Sequence, residues 1–493
     1  MNDFPFLVAN STPSKDRLTV TAPWDQSVIC DVPVADSNAV EIALSNAHTI
    51  FKDRDRWLAP YKRIEILDKT VEIMQSRFEE LAIEAAREGG KPLIDSRVEV
   101  SRAIDGIKNC IECIRNETGR GIPMGLNAAS QNRLAFTCRE PIGVVVAVSA
   151  FNHPLNLIVH QVGPAVASGC PVIIKPAEDT PLSCFRFVQI LHEAGLPIEY
   201  CQALVVNELS VAEQLVCDKR VGFFTFIGSG KVGWMLRSKL APGTRCALEH
   251  GGVAPVIIDS TADLDDTLPL IAKGGFYHAG QVCVSVQRVF VPRMMANDVA
   301  KQLAELGEKM IIGDPTLEKT EVGPLIRTKE VDRVSEWIEE AKTAGATCQT
   351  GGKRLSDTTY ACTVLLDPPS NERICEREIF GPAICVYSYD EVDEAIELAN
   401  SLPYSFQASI LSRNLDFILR CNRRIDAATI MVNDHTAYRV DWMPFAGLKQ
   451  SGYGVGGIPF TFEDMQIEKL TIVRSLEPVS YTHLRAHETL RYL

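Results

Sequence analysis

One cysteine of the chain stands in a setting that suits covalent chemistry. Cys283 closes a Gly-Gln-x-Cys turn at residues 280–283, and an apolar run from 284 to 291 follows it. Glu249 lies 34 residues earlier, in the sequence LEHGG. A thiolate is a strong nucleophile, and a carboxylate can act as a general base towards water. Together with a bound dinucleotide, these two groups would favour an oxidation through a covalent thioester.

A glycine-rich loop is the candidate site for that dinucleotide. Residues 228–233 match the Gly-x-Gly-x-x-Gly pattern and follow a strand-like run, a combination typical of dinucleotide-binding loops. The usual spacing would make Glu249 the acid that binds the adenosine ribose. A rival ribose site lies in IIKPAE, where Lys175 and Glu178 follow a predicted strand. We therefore expect Lys175 and Glu178 at the ribose, which leaves Glu249 for the chemistry.

Composition narrows the class of protein and its partners. The 493 residues are 46% hydrophobic and 23% charged, which is typical of a globular protein with two or three domains. Acidic residues outnumber basic ones by 63 to 50, so the net charge of −13 disfavours nucleic acid or an anionic membrane as a partner. The fifteen cysteines form no disulfide framework, and no signal peptide or long apolar run is evident. We expect a cytoplasmic protein.

No metal site is expected from the cysteines. The one Cys-x-x-Cys pair, Cys110 and Cys113, lies in a segment with helical apolar spacing. No second pair is present to complete a zinc site. We therefore predict that this pair packs inside a helix.

Strand and helix patterns alternate along much of the chain. Apolar runs at 143–150, 170–177 and 221–228 predict strands that are covered on both faces, and helical segments separate them. This alternation predicts an α/β fold with a doubly wound parallel sheet, whose ligands bind at the carboxyl ends of the strands. A second α/β pattern runs from 262 to about 445. The domain boundary is therefore placed near residue 250.

A series of segments resembles, in order and at similar spacing, the NAD(P)-dependent aldehyde dehydrogenase superfamily. The segments are PIGVVVAVSAFNHPLN, IIKPAE, FTFIGSGKVG, LEHGG, AGQVC, REIFGP and PFAGLKQSGYG, and the resemblance covers the chain from about residue 15 to 475. It implies oxidation of a small-molecule aldehyde to the carboxylate. The implied fold has a Rossmann-like parallel-sheet coenzyme domain, an α/β catalytic domain and a small β oligomerisation extension.

The resemblance assigns roles to single residues. Cys283 becomes the nucleophile, Glu249 the base that activates water against the thioester, and Asn152 the side-chain donor to the oxyanion. The implied coenzyme contacts come from three segments: Lys175 and Glu178 at the adenosine ribose, Gly228, Ser229 and Gly233 in the pyrophosphate loop, and Glu378 and Phe380 at the nicotinamide. NAD is favoured because a 2′-phosphate would crowd and repel Glu178. A flexible Glu178 would admit NADP as well.

The resemblance also divides the chain. It implies a coenzyme-binding domain at 1–121 and 141–250 and a catalytic domain at 251–450. The oligomerisation extension falls at 122–140 and 462–476 and implies a homodimer or homotetramer. The last residues, 479–493, change in character and are expected to be a non-native or disordered tail.

Departures from the usual family pattern at four places leave the subfamily open. Val253 stands where lysine or asparagine is common, and Ala446 replaces a glycine. Phe151 replaces a commoner tryptophan, His250 stands where leucine or methionine usually follows the glutamate, and GVGG at 454–457 stands where an Arg-Glu pair is frequent. Two residues are candidates for substrate contacts. His153 would line the substrate funnel, and Arg439 would bind an anionic group at the end of a semialdehyde that is far from the aldehyde.

Other interpretations stay open at this point. Cys283 could be a buried small hydrophobe, Asn152 could be a helix N-cap, and Glu249 could be a surface turn acid. Arg439 could be solvated or paired with Asp441. The rival functions are a coenzyme A-acylating semialdehyde dehydrogenase, which Glu249 opposes, a cysteine hydrolase without a coenzyme, and a non-catalytic structural or binding member of the fold.

Overall fold

The computed structural model describes residues 4–477, so the predicted tail at 479–493 lies outside the described residues. The strands are β1 (Arg17–Thr21), β2 (Val28–Pro33), β3 (Gly121–Ile122), β4 (Arg133–Pro141), β5 (Val144–Val148), β6 (Val172–Lys175), β7 (Cys201–Ala203), β8 (Val221–Ile227), β9 (Arg245–Glu249), β10 (Ala254–Ile258), β11 (Val286–Pro292), β12 (Thr347–Thr350), β13 (Thr363–Leu366), β14 (Ala383–Tyr389), β15 (Tyr404–Ser405), β16 (Gln407–Leu411), β17 (Thr429–Val432), β18 (Leu448–Lys449), β19 (Gly452–Tyr453) and β20 (Gln466–Arg474). The helices are α1 (Ser37–Lys52), α2 (Pro60–Ser76), α3 (Phe78–Gly89), α4 (Leu93–Asn116), α5 (Asn156–Ser168), α6 (Leu182–Glu193), α7 (Leu209–Val216), α8 (Gly230–Arg237), α9 (Leu264–Phe276), α10 (Arg293–Lys309), α11 (Thr328–Thr343), α12 (Arg373–Glu376), α13 (Val392–Asn400), α14 (Leu415–Arg424) and α15 (Ile458–Asp464).

The first large sheet contains the three strands predicted from apolar runs. Its order is β19-β9-β8-β5-β6-β7, and every neighbouring pair is parallel except β19 with β9. Val144 to Ala147 in β5 have no exposed surface, as expected for a strand covered on both faces. The chain proceeds from β5 to β6 and β7 on one side and then to β8 and β9 on the other. The strand order therefore reverses at β5, where an α/β sheet forms its ligand cleft.

The second large sheet is built from the later α/β segment. Its order is β12-β13-β14-β11-β10-β16-β17, and all neighbours are parallel except β12 with β13. Helices α9, α10, α11 and α13 pack against it and share its apolar core. The nucleophile candidate, Cys283, lies between α9 and β11 and so enters the cleft from this second sheet.

A third, three-stranded sheet has the order β20-β4-β3 and is antiparallel. Strand β20 pairs with β4 along its whole length, from Gln466 opposite Pro141 to Arg474 opposite Arg133. Several apolar side chains of this sheet are exposed, including Leu470 at 49% and Ile472 at 52%. Between residues 4 and 477, none of the helices combines the length and apolar character needed to cross a membrane.

Two buried helices carry polar residues beneath the cleft. In α4, Cys110 is fully buried against Gly163 of α5, so the Cys-x-x-Cys segment is helical as predicted. Every residue of α5 is buried, yet Asn156 and His160 are polar. These two residues are four positions apart and therefore lie on one face of the helix. Such groups need hydrogen-bond partners, and they find them at the site described below.

Candidate active site

A cavity of about 1020 Å³ opens at the carboxyl ends of the strands of the first sheet and is closed by loops from the second sheet. The predicted site residues that line it are Asn152, His153, Lys175, Glu178, Gly228, Ser229, Glu249, Cys283, Glu378, Phe380 and Arg439. Gly233 is the exception, because it lies in α8 beneath the cavity wall. A Cβ atom there would come within 2.1 Å of Cε1 of His250, so this glycine permits close packing and does not line the cavity.

The loop before Cys283 has an unusual backbone. His278, Ala279 and Gly280 have φ angles of 51°, 53° and 69°, in the left-handed region that is costly for residues other than glycine. A Cβ atom at Gly280 would lie 2.1 Å from the carbonyl oxygen of Gly381, so only glycine fits there. Gly381 belongs to the segment that carries Glu378 and Phe380. The nucleophile loop and the predicted nicotinamide segment are therefore in direct contact.

The side chain of Gln281 holds this loop in place. Its Nε2 donates to the carbonyl oxygens of His278 and Pro324, both at 3.2 Å, and its Oε1 accepts from the amide of Ile326 at 2.9 Å. All of its amide contacts are to backbone, and the side chain is buried. The Gly-Gln turn was recognised in the sequence, but no role was predicted for the glutamine. We infer that Gln281 supports the loop that presents Cys283.

Cys283 is partly exposed to the cavity, which disfavours the interpretation of a simple buried hydrophobe. Desolvation raises the pKa of its thiol to about 12, and the carboxylates of Glu378 and Glu249 add to the effect. The positive charge of Arg439 acts in the opposite direction. A free thiol has a pKa of about 8.5. The thiol is therefore neutral in the protein without ligands, and deprotonation must accompany catalysis.

Asn152 does not cap a helix. Helix α5 begins at Asn156 and its N-cap is Leu155, so the interpretation of Asn152 as an N-cap is wrong. The Asn152 side chain is buried, and its Nδ2 donates to the carbonyl oxygen of Gln281 at 3.0 Å. An amide nitrogen has two hydrogens to donate. The second hydrogen has no acceptor among residues 4–477 and is available to an oxygen atom bound near Cys283.

Glu249 ends strand β9 and lines the cavity, so it is not a surface turn acid. Burial raises the pKa of its carboxyl, and Arg439 opposes that rise. A Cβ atom added to Gly456 would lie 2.0 Å from Oε1 of Glu249, so the carboxylate occupies the space that a side chain at position 456 would need. The GVGG departure at 454–457 thus has a physical explanation. It makes room for the carboxylate of Glu249.

The adenosine end of the cavity has the predicted pair of residues. Lys175 ends strand β6, is buried, and donates from Nζ to Oε1 of Glu178. Burial would raise the pKa of Glu178, but the charge and hydrogen bond of Lys175 lower it overall. Glu178 is therefore an ionised acceptor at a strand end, which suits ribose hydroxyls. Ser229 is the N-cap of α8 and places the helix N-terminus at the same wall.

Glu378 has an unsatisfied carboxyl oxygen at the other end of the coenzyme groove. Its Oε1 is buried and has no hydrogen-bond partner in the described part of the chain, and desolvation raises the pKa of the carboxyl to about 8. A ribose hydroxyl would supply the missing partner, so the residues present fit a dinucleotide. Phe380 adopts a φ of 45° and meets the ring of Phe151 edge-on at 5.8 Å. Phe151, in place of tryptophan, thus packs against the predicted nicotinamide residue.

Arg439 has no carboxylate partner within residues 4–477. Its guanidinium lies 3.5 Å from the centre of the Phe445 ring and 3.3 Å from Nδ1 of His160, and its Nε is buried without a partner. Asp441 is occupied instead by Arg102, through bonds of 2.7 and 3.1 Å, and by Nε2 of His160 at 2.6 Å. The interpretation of Arg439 as an Asp441-paired residue is therefore wrong. Arg102 lines the same cavity and was not predicted.

Taken together, the fold and the site define an enzyme that joins a dinucleotide cleft to a thiol nucleophile, a carboxylate and an amide donor. Comparison with known sequences agrees: the aldehyde dehydrogenase family profile matches residues 10–470. The chain therefore belongs to the aldehyde dehydrogenase family and oxidises aldehydes with NAD(P).

Particular relatives resemble the chain over nearly its whole length. The 3-sulfolactaldehyde dehydrogenase of Priestia aryabhattai is 37% identical over 458 residues, 93% of this chain and 95% of its own. The structure of aldehyde dehydrogenase 21 from Physcomitrella patens, in complex with the reaction product succinate, has a TM-score of 0.92 and 32% identity and covers 97% of this chain and 99% of its own. The structure of glyceraldehyde-3-phosphate dehydrogenase GapN from Methanocaldococcus jannaschii, complexed with NADP, has a TM-score of 0.89 and 31% identity. The match covers 94% of this chain and 100% of the GapN chain.

The raised pKa of Cys283 leads to a testable expectation about its reactivity. Because the pKa of about 12 lies above the ordinary thiol value, the thiolate fraction is small at pH 8 and increases as the pH rises. Alkylation of Cys283 by iodoacetamide, followed by peptide mass spectrometry without coenzyme, should accelerate roughly tenfold per pH unit from 8 to 10. Alkylation of the exposed Cys138 in the same samples is the internal control for the labelling reaction. A Cys283 rate that levels off at or below pH 9 would contradict the raised pKa.

Proposed function

We propose that Cys283, Glu249 and Asn152 oxidise a short aldehyde whose far end carries an anionic group. The thiol of Cys283 attacks the aldehyde carbon, and its proton passes to solvent, so that Glu249 stays available for the second stage. The oxyanion of the resulting thiohemiacetal accepts a hydrogen bond from Nδ2 of Asn152. A preorganised donor of this kind is worth ~3 kcal/mol in comparable sites. NAD(P), when bound, accepts hydride from the thiohemiacetal carbon.

The thioester left on Cys283 then requires hydrolysis. Glu249 takes a proton from a water molecule that attacks the thioester carbonyl, and the thiol and the carboxylate product are released. Burial raises the pKa of Glu249 towards the working pH, which improves its efficiency as a base. The carboxyl rests against Gly456, inside the cavity that also contains Cys283. A base in this position favours water over coenzyme A as the acyl acceptor.

The observation that carries the substrate proposal is the unpaired guanidinium of Arg439. Arg439 is partly buried, a cation in that position without a carboxylate partner is costly, and a bound anion would relieve that cost. Arg439 is close enough to Cys283 and Glu249 to influence the pKa of both. An anion at Arg439 would therefore belong to a short substrate whose aldehyde reaches Cys283. Two relatives agree in chemistry, because one is named for a sulfonated aldehyde and another holds the dicarboxylate succinate.

The coenzyme proposal is NAD, with NADP admitted. The ionised carboxylate of Glu178 accepts from Lys175 and lies where the ribose hydroxyls are expected. A 2′-phosphate at that position would face a negative charge. The guanidinium of Arg327 borders the same wall and pairs with Asp179. A shift of Glu178 would let Lys175 and Arg327 meet the phosphate.

The three-stranded sheet supports a proposal of self-association. Strand β20 is the outermost strand of its sheet in the described structure and is nine residues long. Exposed sheet edges of this length favour pairing with another chain. Ile467 and Val473 are exposed on one face of β20, and Leu470 and Ile472 on the other. A second copy of this chain, as the oligomerisation extension at 122–140 and 462–476 implies, would cover them in a dimer or tetramer.

The cysteines support a cytoplasmic location. All fifteen are free, and most of them are buried. Free thiols in this number are typical of proteins that stay in a reducing compartment. We therefore propose the cytoplasm.

Replacement of Arg439 tests the anionic substrate. Arg439→Leu should raise KM for succinate semialdehyde roughly 10-fold to 100-fold, since hydrogen bonds to charged groups contribute ~1.5–3 kcal/mol. KM for butanal, an uncharged aldehyde of equal length, should change by less than about threefold, a shift worth well under 1 kcal/mol. Arg439→Lys should give an intermediate result because it keeps the charge and loses the two-pronged donor geometry. Equal increases for both aldehydes in Arg439→Leu would rule the proposal out.

Replacement of Glu249 separates the two chemical stages. Glu249→Gln should still release about one reduced coenzyme per subunit in a rapid burst, followed by a steady rate about 100-fold or more below wild type, as expected for loss of a general base. The measurement is stopped-flow absorbance of the reduced coenzyme. Cys283→Ala serves as the control and should show neither phase. A wild-type rate that depends on added coenzyme A would instead support the acylating alternative.

Charges placed on β20 test the self-association. The double variant Leu470→Asp/Ile472→Asp should lower the solution mass measured by light scattering, because two buried carboxylates would oppose the interface. Leu419→Asp, at a leucine of α14 that is 56% exposed, is the matched control and should keep the wild-type mass. A wild-type protein that is monomeric at micromolar concentration would refute the proposal, as would an unchanged mass in the double variant.

A further inference from the structure

A buried ion pair lies directly beneath the cavity, away from the reacting groups. Lys91 and Glu99 form a salt bridge, and each side chain is only 1% exposed. The Oε1 of Glu99 also accepts from the backbone amides of Leu155 and Asn156, both at 2.9 Å, at the start of α5. Both oxygens of the Glu99 side chain therefore have hydrogen-bond donors. Burial lowers the pKa of Lys91, whereas the charge and hydrogen bond of Glu99 raise it and favour the ammonium form.

Lys91 makes a second contact, to a residue of the cavity wall. Its Nζ lies 2.7 Å from Nδ1 of His153. An ammonium has three hydrogens to donate and no lone pair, so Nδ1 must be the acceptor. The neutral imidazole then carries its proton on Nε2. The geometry of Lys91 thus sets the tautomer of His153.

The groups around His153 keep the ring neutral. Burial, and then the charge of Lys91, lower the pKa of His153 well below its ordinary value, and the cations Arg102 and Arg439 act in the same direction. The ring of His278 lies edge-on at 6.3 Å and, like the cations, lowers the pKa. The carboxylate of Glu99 lies 4.0 Å from Nδ1, but it is already paired with Lys91.

The Nε2–H of His153 is consequently a donor that faces the cavity. The side chain is 15% exposed, lines the cavity beside Asn152, and makes no further hydrogen bond to the described residues. We propose that His153 is a specificity-determining residue whose Nε2–H donates to a hydroxyl oxygen on the carbon next to the aldehyde. Lys91 is the positioning residue that fixes the tautomer. The inference rests on the proposed function, in which Asn152 holds the aldehyde oxygen and the adjacent residue therefore faces the neighbouring carbon.

A comparison of lactaldehyde with propanal tests the donor. The two aldehydes are uncharged, have three carbons and differ by one hydroxyl, so Arg439 does not enter the comparison. In His153→Phe, the ratio of kcat/KM for lactaldehyde to that for propanal should fall at least tenfold. His153→Gln, which retains an N–H donor, should restore the ratio to within about threefold of wild type, a difference of well under 1 kcal/mol. His48→Gln on α1 is the control.

A ratio that is unchanged in His153→Phe would overturn the proposal, and so would a His153→Gln variant that behaves like His153→Phe. Failure of the proposed function would look different. It would appear in the wild-type protein, as the absence of reduced coenzyme from either aldehyde or as activity that survives in Cys283→Ala.

The pH dependence of the ratio of kcat/KM for lactaldehyde to kcat/KM for propanal tests the role of Lys91 in fixing the tautomer of His153. The double variant Lys91→Met/Glu99→Gln removes both charges and keeps an amide oxygen for the backbone donors of α5. Loss of the nearby cation should raise the pKa of His153, and the neutral ring is then free to take either tautomer. The ratio should be flat from pH 6 to 8.5 in wild type. In the variant it should fall at pH 8.5 and recover towards pH 6, where the imidazolium donates from both nitrogens.

The ratio cancels the titration of Cys283 and Glu249, because both substrates depend on them equally. A variant ratio as flat and as high as that of wild type would show that Lys91 does not set the tautomer. Lys62→Met on α2, which breaks an exposed pair with Glu65, is the matched control. Calorimetry establishes that the double variant is folded, and if it is not, the His153→Phe and His153→Gln pair decides the proposal.

Discussion

The free energy cost of burying charge is the constraint on which the arrangement of this cavity depends. Three acidic groups, Cys283, Glu249 and Glu378, face one partly closed space, and desolvation raises the pKa of each. Within residues 4–477 none of them has a cation in hydrogen-bond contact, so burial disfavours the charged form of each until a ligand binds. That state suits an enzyme that must release its product. A permanently paired thiolate or carboxylate would be more stable and less useful as a nucleophile or base.

Two other carboxylates, Glu99 and Asp441, have cationic and hydrogen-bonding partners, and their networks position residues of the cavity wall. Glu99 binds Lys91 and the start of α5, while Asp441 binds Arg102 and His160. Both networks end on a group that faces the cavity: His153 in the first case and Arg439 in the second. In each network the carboxylate is one residue removed from the cavity-facing group. The two donors are thus held in position without being neutralised.

The sequence was sufficient for the parts of the site that follow strand ends. Lys175, Gly228 and Glu249 each come directly after a buried strand or end one, and parallel strands bring their carboxyl ends to one edge. The pairing of Lys91 with His153, 62 positions apart, could not be predicted, because Lys91 lies in the loop between α3 and α4 and the sequence does not show which distant loop it meets. For a related reason the sequence did not show that Gly233, expected in the pyrophosphate loop, lies outside the cavity lining. A glycine in this pattern can serve close packing as well as ligand contact, and here it accommodates His250.

Two of the departures from the usual family pattern, His250 and Gly456, each pack against a residue that belongs to that pattern. His250 is bulky and polar, and it fits because Gly233 leaves space and Trp234 and Phe226 pack around the ring. Glu249 turns its carboxyl towards a backbone segment where Gly456 leaves the necessary room. Each departure therefore alters the wall of the cavity around the proposed catalytic residues Cys283, Glu249 and Asn152. Selection on substrate shape acts most easily on such paired positions, since a change at one member alone would leave either a steric clash or an empty space.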